Sequence, residues 1–135
     1  MNDEILEALD AGDLDKARDL LLEDIYSTVG SKRSWDSPQY RGNMIVQEKI
    51  KQVPERDKLF TFFGLEVLRD RYLLRDKEGK VCETPQEFIA RVSAALARKN
   101  IDTARGLYNI VSRHYFMPAT PILTNIGTNR GLPIS

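Results

Sequence analysis

The chain holds one cysteine and one histidine, so residues for redox and acid–base chemistry are scarce. Cys82 alone cannot form an internal disulfide, and its isolation fits a reducing compartment. There is no Walker motif, no GxGxxG, no cluster spaced like metal ligands and no Ser/His/Asp set. Charge of one sign is also missing: twenty basic and twenty acidic residues cancel, so nothing calls for nucleic acid or an anionic membrane as partner. No apolar run approaches the roughly 18–20 residues of a membrane span. The acidic start MNDEILEALD is the reverse of a signal peptide. With 135 residues, 41% hydrophobic and 30% charged, the chain reads as a cytoplasmic globular piece with a single core.

Helical signals dominate. Ile5, Leu6 and Leu9 mark a short amphipathic helix that Gly12 ends. Asp13 then caps a second helix with Leu14, Ala17, Leu20, Leu21 and Ile25 on one stripe, giving a helical hairpin over about 3–28. No second copy follows at a fixed period, which excludes a solenoid. The stretch VGSKRSWDSPQYRGN (29–43) interleaves Lys32, Arg33 and Arg41 with Trp35 and Tyr40. Basic residues beside aromatics can bind nucleotides or single strands. The plainer reading is a surface loop pinned by one or two rings.

A weak helix is expected over Met44–Lys51, ending before Pro54, and another over Leu59–Arg71, apolar at Leu59, Phe60, Phe63, Val67 and Leu68, whose aromatic end should be buried. YLLRDKEGKVCE (72–83) suggests a β-hairpin about a DKEG turn, with Cys82 packed as a small apolar residue in its second arm. Thr84, Pro85 and Glu87 read as an N-cap, first helical residue and capping box. The helix they open runs to about Arg98 with Phe88, Val92, Ala95 and Leu96 inward. Asp102 is read as the cap of a last helix to about Tyr115, burying Ala104, Leu107, Val111 and Tyr115. His114, in its last turn, could be a ligand or base; a dipole contact or core-edge packing is the plainer role. The expected fold class is therefore mainly α: an orthogonal helical bundle with one small hairpin and an extended C-terminal tail.

That tail, FMPATPILTNIGTNRGLPIS (116–135), differs in kind. Prolines at 118 and 121 fix their own φ angles and push the residues before them to extended backbone. Thr120 thus presents its hydroxyl from a stiff segment, a reasonable contact for an oxyanion or phosphate. The glycine and polar residues that follow suit a loop that a ligand approaches closely.

PATPILTNIGTNRGLPIS resembles the segment that enters the active site of the large catalytic (α) subunit of class I and II ribonucleotide reductases. There a P-[AT]-[TS]-P-hydrophobic pattern precedes a glycine and polar loop and a short apolar strand ending Ser-Cys. FFGLEVLRDRYLLRDKEGKVCETPQEFIARVSAAL (62–96) resembles the helix, hairpin and helix upstream of it in that family. The resemblance covers about 58–135. The first 50 residues carry no comparable match and lack the nucleotide-binding signature of an ATP-cone. The implied division is a helical hairpin and linker over 1–57, the family's helical domain over 58–117, and a substrate-phosphate loop with the start of a barrel strand over 118–135. That strand would be the first of a ten-stranded α/β barrel.

The resemblance makes Thr120 the hydroxyl that contacts the substrate's phosphates and places Ser135 beside the nucleoside. It implies a ribonucleoside-diphosphate reductase whose radical cysteine, redox cysteines and specificity site lie further along the family's chain. Cys82 matches none of them. A piece without those thiols is expected to be inactive alone and to hold no cofactor itself. The complete enzyme would need a thiol reductant and a radical source, either a metal-radical small subunit (class I, slightly favoured) or adenosylcobalamin (class II). The implied partners are the C-terminal remainder of the α subunit, a second α subunit, the small subunit in class I, and a ribonucleoside di- or triphosphate. The stop at Ser135, just before the family's cysteine, suggests a split gene product, a truncated chain or, most simply, the flank of a split intein. The competing reading is a non-catalytic helical interaction module with a docking tail.

Overall fold

A computed structural model describes residues 2–114. Among them the chain is mainly helical, with six α-helices, two 3₁₀ turns and no β-strand. Asn2 opens α1 (Asp3–Asp10) by accepting a hydrogen bond from the Ile5 amide at 2.8 Å. Asp13 opens α2 (Leu14–Val29) in the same way with the Lys16 amide at 3.0 Å. Such caps satisfy an amide that the first turn leaves unpaired, worth about 0.5–2 kcal/mol each. Between the helices Gly12 sits at φ +74°, where a side chain would be strained. This is the expected hairpin, although Leu14 of the predicted stripe is exposed and Leu20 only half-buried.

The segment after α2 is a loop with one 3₁₀ turn, Ser34–Asp36, followed by α3 (Met44–Glu48). A second 3₁₀ turn, Pro54–Leu59, precedes α4 (Phe62–Arg71). The α4 start corrects the sequence reading. Thr61 is its N-cap, accepting from the Gly64 amide at 3.0 Å, so Leu59 and Phe60 lie outside the helix. The helical period then turns Phe62, Leu65 and Leu68 inward. Of the aromatic end expected to be buried, Phe60 is buried but Phe63 is 57% exposed; Val67 and Leu59 are 46% and 51% exposed.

The 72–83 stretch closes as a turn with a single antiparallel bridge, Arg75 to Val81. Gly79 supplies the φ of +80° that the turn needs, and the Asp76 carboxylate accepts from the amides of Glu78 and Lys80. Thr84 then caps α5 (Pro85–Ala97), accepting from the Glu87 amide at 3.2 Å, with Pro85 at the first position as read. The recorded partners of the Glu87 carboxylate lie elsewhere, so it does not complete the expected capping box.

Helix α5 is the centre of the fold, packing on α3, on both 3₁₀ turns and on α6 (Ile101–Ser112). Phe88 and Val92 are buried as expected, along with Ile89, Ala90 and Ala94. Ala95 and Leu96 instead lie on the one open face. Asn100, two residues before the expected Asp102, caps α6 by accepting from the Thr103 amide at 3.0 Å. Helix α6 buries Ala104 and Val111, leaves Leu107 half-buried, and adds Tyr108, which the stripe had passed over. Tyr115 lies outside the described residues.

One cluster of buried apolar side chains runs from Ile5 to Val111. Each fully buried Leu, Ile or Phe in it contributes about 1.5–3 kcal/mol. No helix among the described residues is long and apolar enough to cross a membrane.

Candidate functional site

Two polar clusters are built on the start of α5. Glu83, just before the Thr84 cap, meets Arg91 two turns later, and both side chains are fully buried. Arg91 Nε donates to Glu83 Oε2 at 2.7 Å and Nη2 to Oε1 at 3.2 Å. The same carboxylate accepts from the Ser34 hydroxyl at 2.6 Å and the Leu74 amide at 3.1 Å. Gln47 Nε2 donates to Ser34 Oγ, and the Tyr40 hydroxyl donates to Gln47 Oε1. Four separate segments are thereby tied to one buried ion pair.

Glu87, one turn into α5, accepts from Arg33 Nε at 2.5 Å and the Ser34 amide at 3.2 Å. Burial pushes its carboxyl above the usual range, against the lowering effect of Arg33. Arg33 also lies 4.3 Å from the Trp35 ring centre, and Lys32 pairs with Asp76 at 2.8 Å. The basic and aromatic residues of the 29–43 loop are therefore engaged internally. Polar anchors inside the protein pin the loop more than its rings do.

The second cluster is a hydrogen-bonded chain. Tyr26 donates to Asp57 Oδ2, and Gln86 Nε2 donates to Asp57 Oδ1 at 2.7 Å. The Tyr108 hydroxyl donates to Gln86 Oε1 at 2.6 Å and accepts from the Val53 amide at 2.8 Å. Burial raises the Asp57 carboxyl and the Tyr26 and Tyr108 phenols. All hydrogen-bonding atoms in this chain are matched, so it locks α2, the second 3₁₀ turn, α5 and α6 together.

The described chain ends at His114, two residues past the end of α6, at a φ of +62°. Its ring packs edge-on against Phe60 at 4.6 Å, and its buried Nε2 has no hydrogen-bond partner among the described residues. Burial lowers its pKa, so the neutral ring packs at the core edge. Together with Phe60, Thr61, Gly64, Leu68 and Tyr72 it lines an apolar hollow of about 290 Å³.

Thr120 and Ser135, the predicted substrate contacts, lie outside the described residues, as does the whole 116–135 tail. The described chain ends six positions before Thr120. Cys82 is fully buried, and burial raises its thiol to about 12, the opposite of what a redox-active thiolate needs. Among the described residues no group of three or more His, Cys, Asp or Glu could hold a metal ion. Sequence reasoning missed both polar clusters, because their partners lie up to 55 positions apart.

The family model described as "Ribonucleotide reductase, all-alpha domain" matches residues 58–131. The ribonucleoside-diphosphate reductase large subunit of Danio rerio is 34% identical over 117 residues, covering 82% of this chain and 15% of that protein. The large chain of Schizosaccharomyces pombe is 43% identical over 76 residues, 56% of this chain and 9% of its own length. The vaccinia virus large subunit is 32% identical over 117 residues, with shares of 82% and 15%. This chain thus spans a small part of each relative. A share of 82% exceeds what residues 58–135 could supply, so the similarity also reaches upstream of residue 58, where the sequence reading found none. The chain belongs to the ribonucleotide reductase large-subunit family and carries that family's all-alpha domain over residues 58–131.

Proposed function

We propose that this chain supplies the helical wall and the substrate-phosphate segment of a ribonucleotide reductase catalytic subunit. The observation that carries the reading is the extent of the family match, which spans the α4–α6 framework and the PATP segment that contains Thr120. In this reading the Thr120 hydroxyl contacts the substrate's phosphates and Ser135 lies beside the nucleoside. Residues 118–135 lead into the first barrel strand, formed with the rest of the subunit. The relatives' name, ribonucleoside-diphosphate reductase, favours a diphosphate substrate, and "large subunit" favours a small partner subunit.

The thiol chemistry belongs to other parts of the enzyme. Cys82 does not fit a redox role, and no step is assigned to it. When complete, the enzyme draws on a radical source and a thiol reductant to replace the ribose 2′-hydroxyl with hydrogen. The residues of this chain bind and orient the substrate for that step.

Complementation tests the reading. The remainder of the subunit, the radical-supplying partner and dithiothreitol are assayed with and without this chain, following deoxynucleotide formation. Activity that requires this chain supports the proposal. Full activity of the remainder without it, or turnover by this chain alone, contradicts it.

A further inference from the structure

Two hollows on the described surface, each carrying basic residues, use their cations differently. In the first, beside Tyr26 and Thr84, Arg33 is paired with Glu87 and Lys32 with Asp76. The second, of about 460 Å³, opens between the segment that follows α3 and the outer face of α6. Lys49, Lys51, Val53, Arg105, Tyr108 and Asn109 line it, with no carboxylate among them. Lys49, Lys51 and Arg105 form no ion pair among the described residues. Arg105 Nε donates to the Lys49 carbonyl at 3.1 Å, which holds the guanidinium at the rim with its terminal nitrogens available. Arg56, outside the lining, is tied to the neighbouring side chains of α6: its Nη1 donates to Asn109 Oδ1 at 3.1 Å and Ser112 Oγ at 2.8 Å. Glu48, Glu55 and Asp102, the acids adjacent in sequence, pair with none of the four.

A chain with no net charge has thus gathered three cations, Lys49, Lys51 and Arg105, around one concave surface without acidic partners among the described residues. Clefts lined by one sign of charge focus their field and concentrate counter-ions. The volume falls within the roughly 300–1,000 Å³ of small-molecule sites. A single carboxylate could not neutralise this spread of charge, whereas a chain of phosphates could. Single-stranded nucleic acid fits less well, since it needs exposed rings to stack on and Tyr108 is 1% exposed. We infer that this groove binds a polyphosphate chain, either free or as the phosphates of a nucleoside triphosphate. Arg105 supplies paired donors, and Lys49 and Lys51 act as point charges. None of these lining residues belongs to the proposed substrate segment, 118–135.

Calorimetric titration of the 135-residue chain with inorganic tripolyphosphate, and separately with ATP, tests this. The expected result is one ligand per chain, weakened at least tenfold by Lys51→Glu and by Arg105→Ala. Lys77→Glu, an equal charge change on the exposed turn after Arg75, should alter it less than twofold, with helical circular dichroism retained in all three. Equal affinity for the two ligands would assign recognition to phosphate alone, and tighter ATP binding to the nucleotide; both uphold the groove. No binding at millimolar ligand would overturn the inference, as would an equal loss in Lys77→Glu. A single-stranded oligonucleotide that binds more tightly than tripolyphosphate would also overturn it. Binding lost in Thr120→Ala but kept in Lys51→Glu would overturn the groove while leaving the substrate segment's role intact.

Discussion

Arg91 and Glu83 form an ion pair with neither side chain exposed, closed by two N–H···O contacts from one guanidinium to one carboxylate. Ser34 and the Leu74 amide fill the remaining acceptor positions. Breaking such a pair from one side leaves a buried charge and orphaned donors. Glu83→Leu is therefore expected to destabilise the chain by about 3–5 kcal/mol. Urea unfolding followed by circular dichroism measures this, and a loss below about 1 kcal/mol would show that the pair is not a structural anchor.

Asp57 should make stability fall as pH rises. Burial holds its carboxyl above the ordinary aspartate value of 3.8, outweighing the hydrogen bonds from Tyr26 and Gln86. The folded chain therefore holds this proton more tightly than the unfolded one. Its contribution is full below the unfolded value and is lost as pH rises through the raised folded value. Glu87 acts in the same direction. From about pH 4 to about pH 7, wild type should lose stability relative to Asp57→Asn, a variant that cannot ionise there. Parallel stability curves for the two chains would refute this.

The Thr84 cap is expected to be worth about 0.5–2 kcal/mol, since its hydroxyl accepts from the Glu87 amide at the head of the central helix. Thr84→Ala should show that loss in thermal or urea unfolding, and Thr84→Ser should restore most of it. An alanine variant as stable as wild type would mean that the Arg33–Glu87 contact holds the helix start by itself.

Cys82 should be inert in the folded chain. Its thiol is fully buried and raised to about 12, so little thiolate forms near neutral pH. Ellman's reagent at about pH 8 should label it only as fast as the chain opens, with rapid labelling in urea. Fast labelling of the native protein would contradict the burial.

The helix starts at Thr84–Pro85 and Asp13 were legible because capping is a local matter of one side chain and one nearby amide. The inward face of α4 was not. Phe60 and Leu59 continue the apolar pattern of the helix, and only the Thr61 cap, three residues into that pattern, sets the true register. With Leu59 and Phe60 outside the helix, the face of α4 that packs inward is Phe62, Leu65 and Leu68, and Phe63 and Val67 lie on its open side. The displacement of the α6 cap from Asp102 to Asn100 has a similar origin, since both residues are competent caps and the turn at Arg98, at φ +58°, favours the earlier one. The buried polar clusters were invisible for another reason. Glu83, Arg91 and Asp57 carry no local signal of burial; only the fold brings distant partners to them. The family likeness rested on residues 62–96 and 118–135; the candidate substrate contacts fall in the second stretch, and the described residues give the helical framework.

Substrate affinity at Thr120 tests the central claim most directly. In the completed reductase, with every other part held constant, Thr120→Ala is predicted to weaken binding of the ribonucleotide by about 1–3 kcal/mol, through the loss of a phosphate contact. Thr120→Ser, which keeps the hydroxyl, should stay near wild type. Unchanged ribonucleotide affinity in the alanine variant would contradict the account.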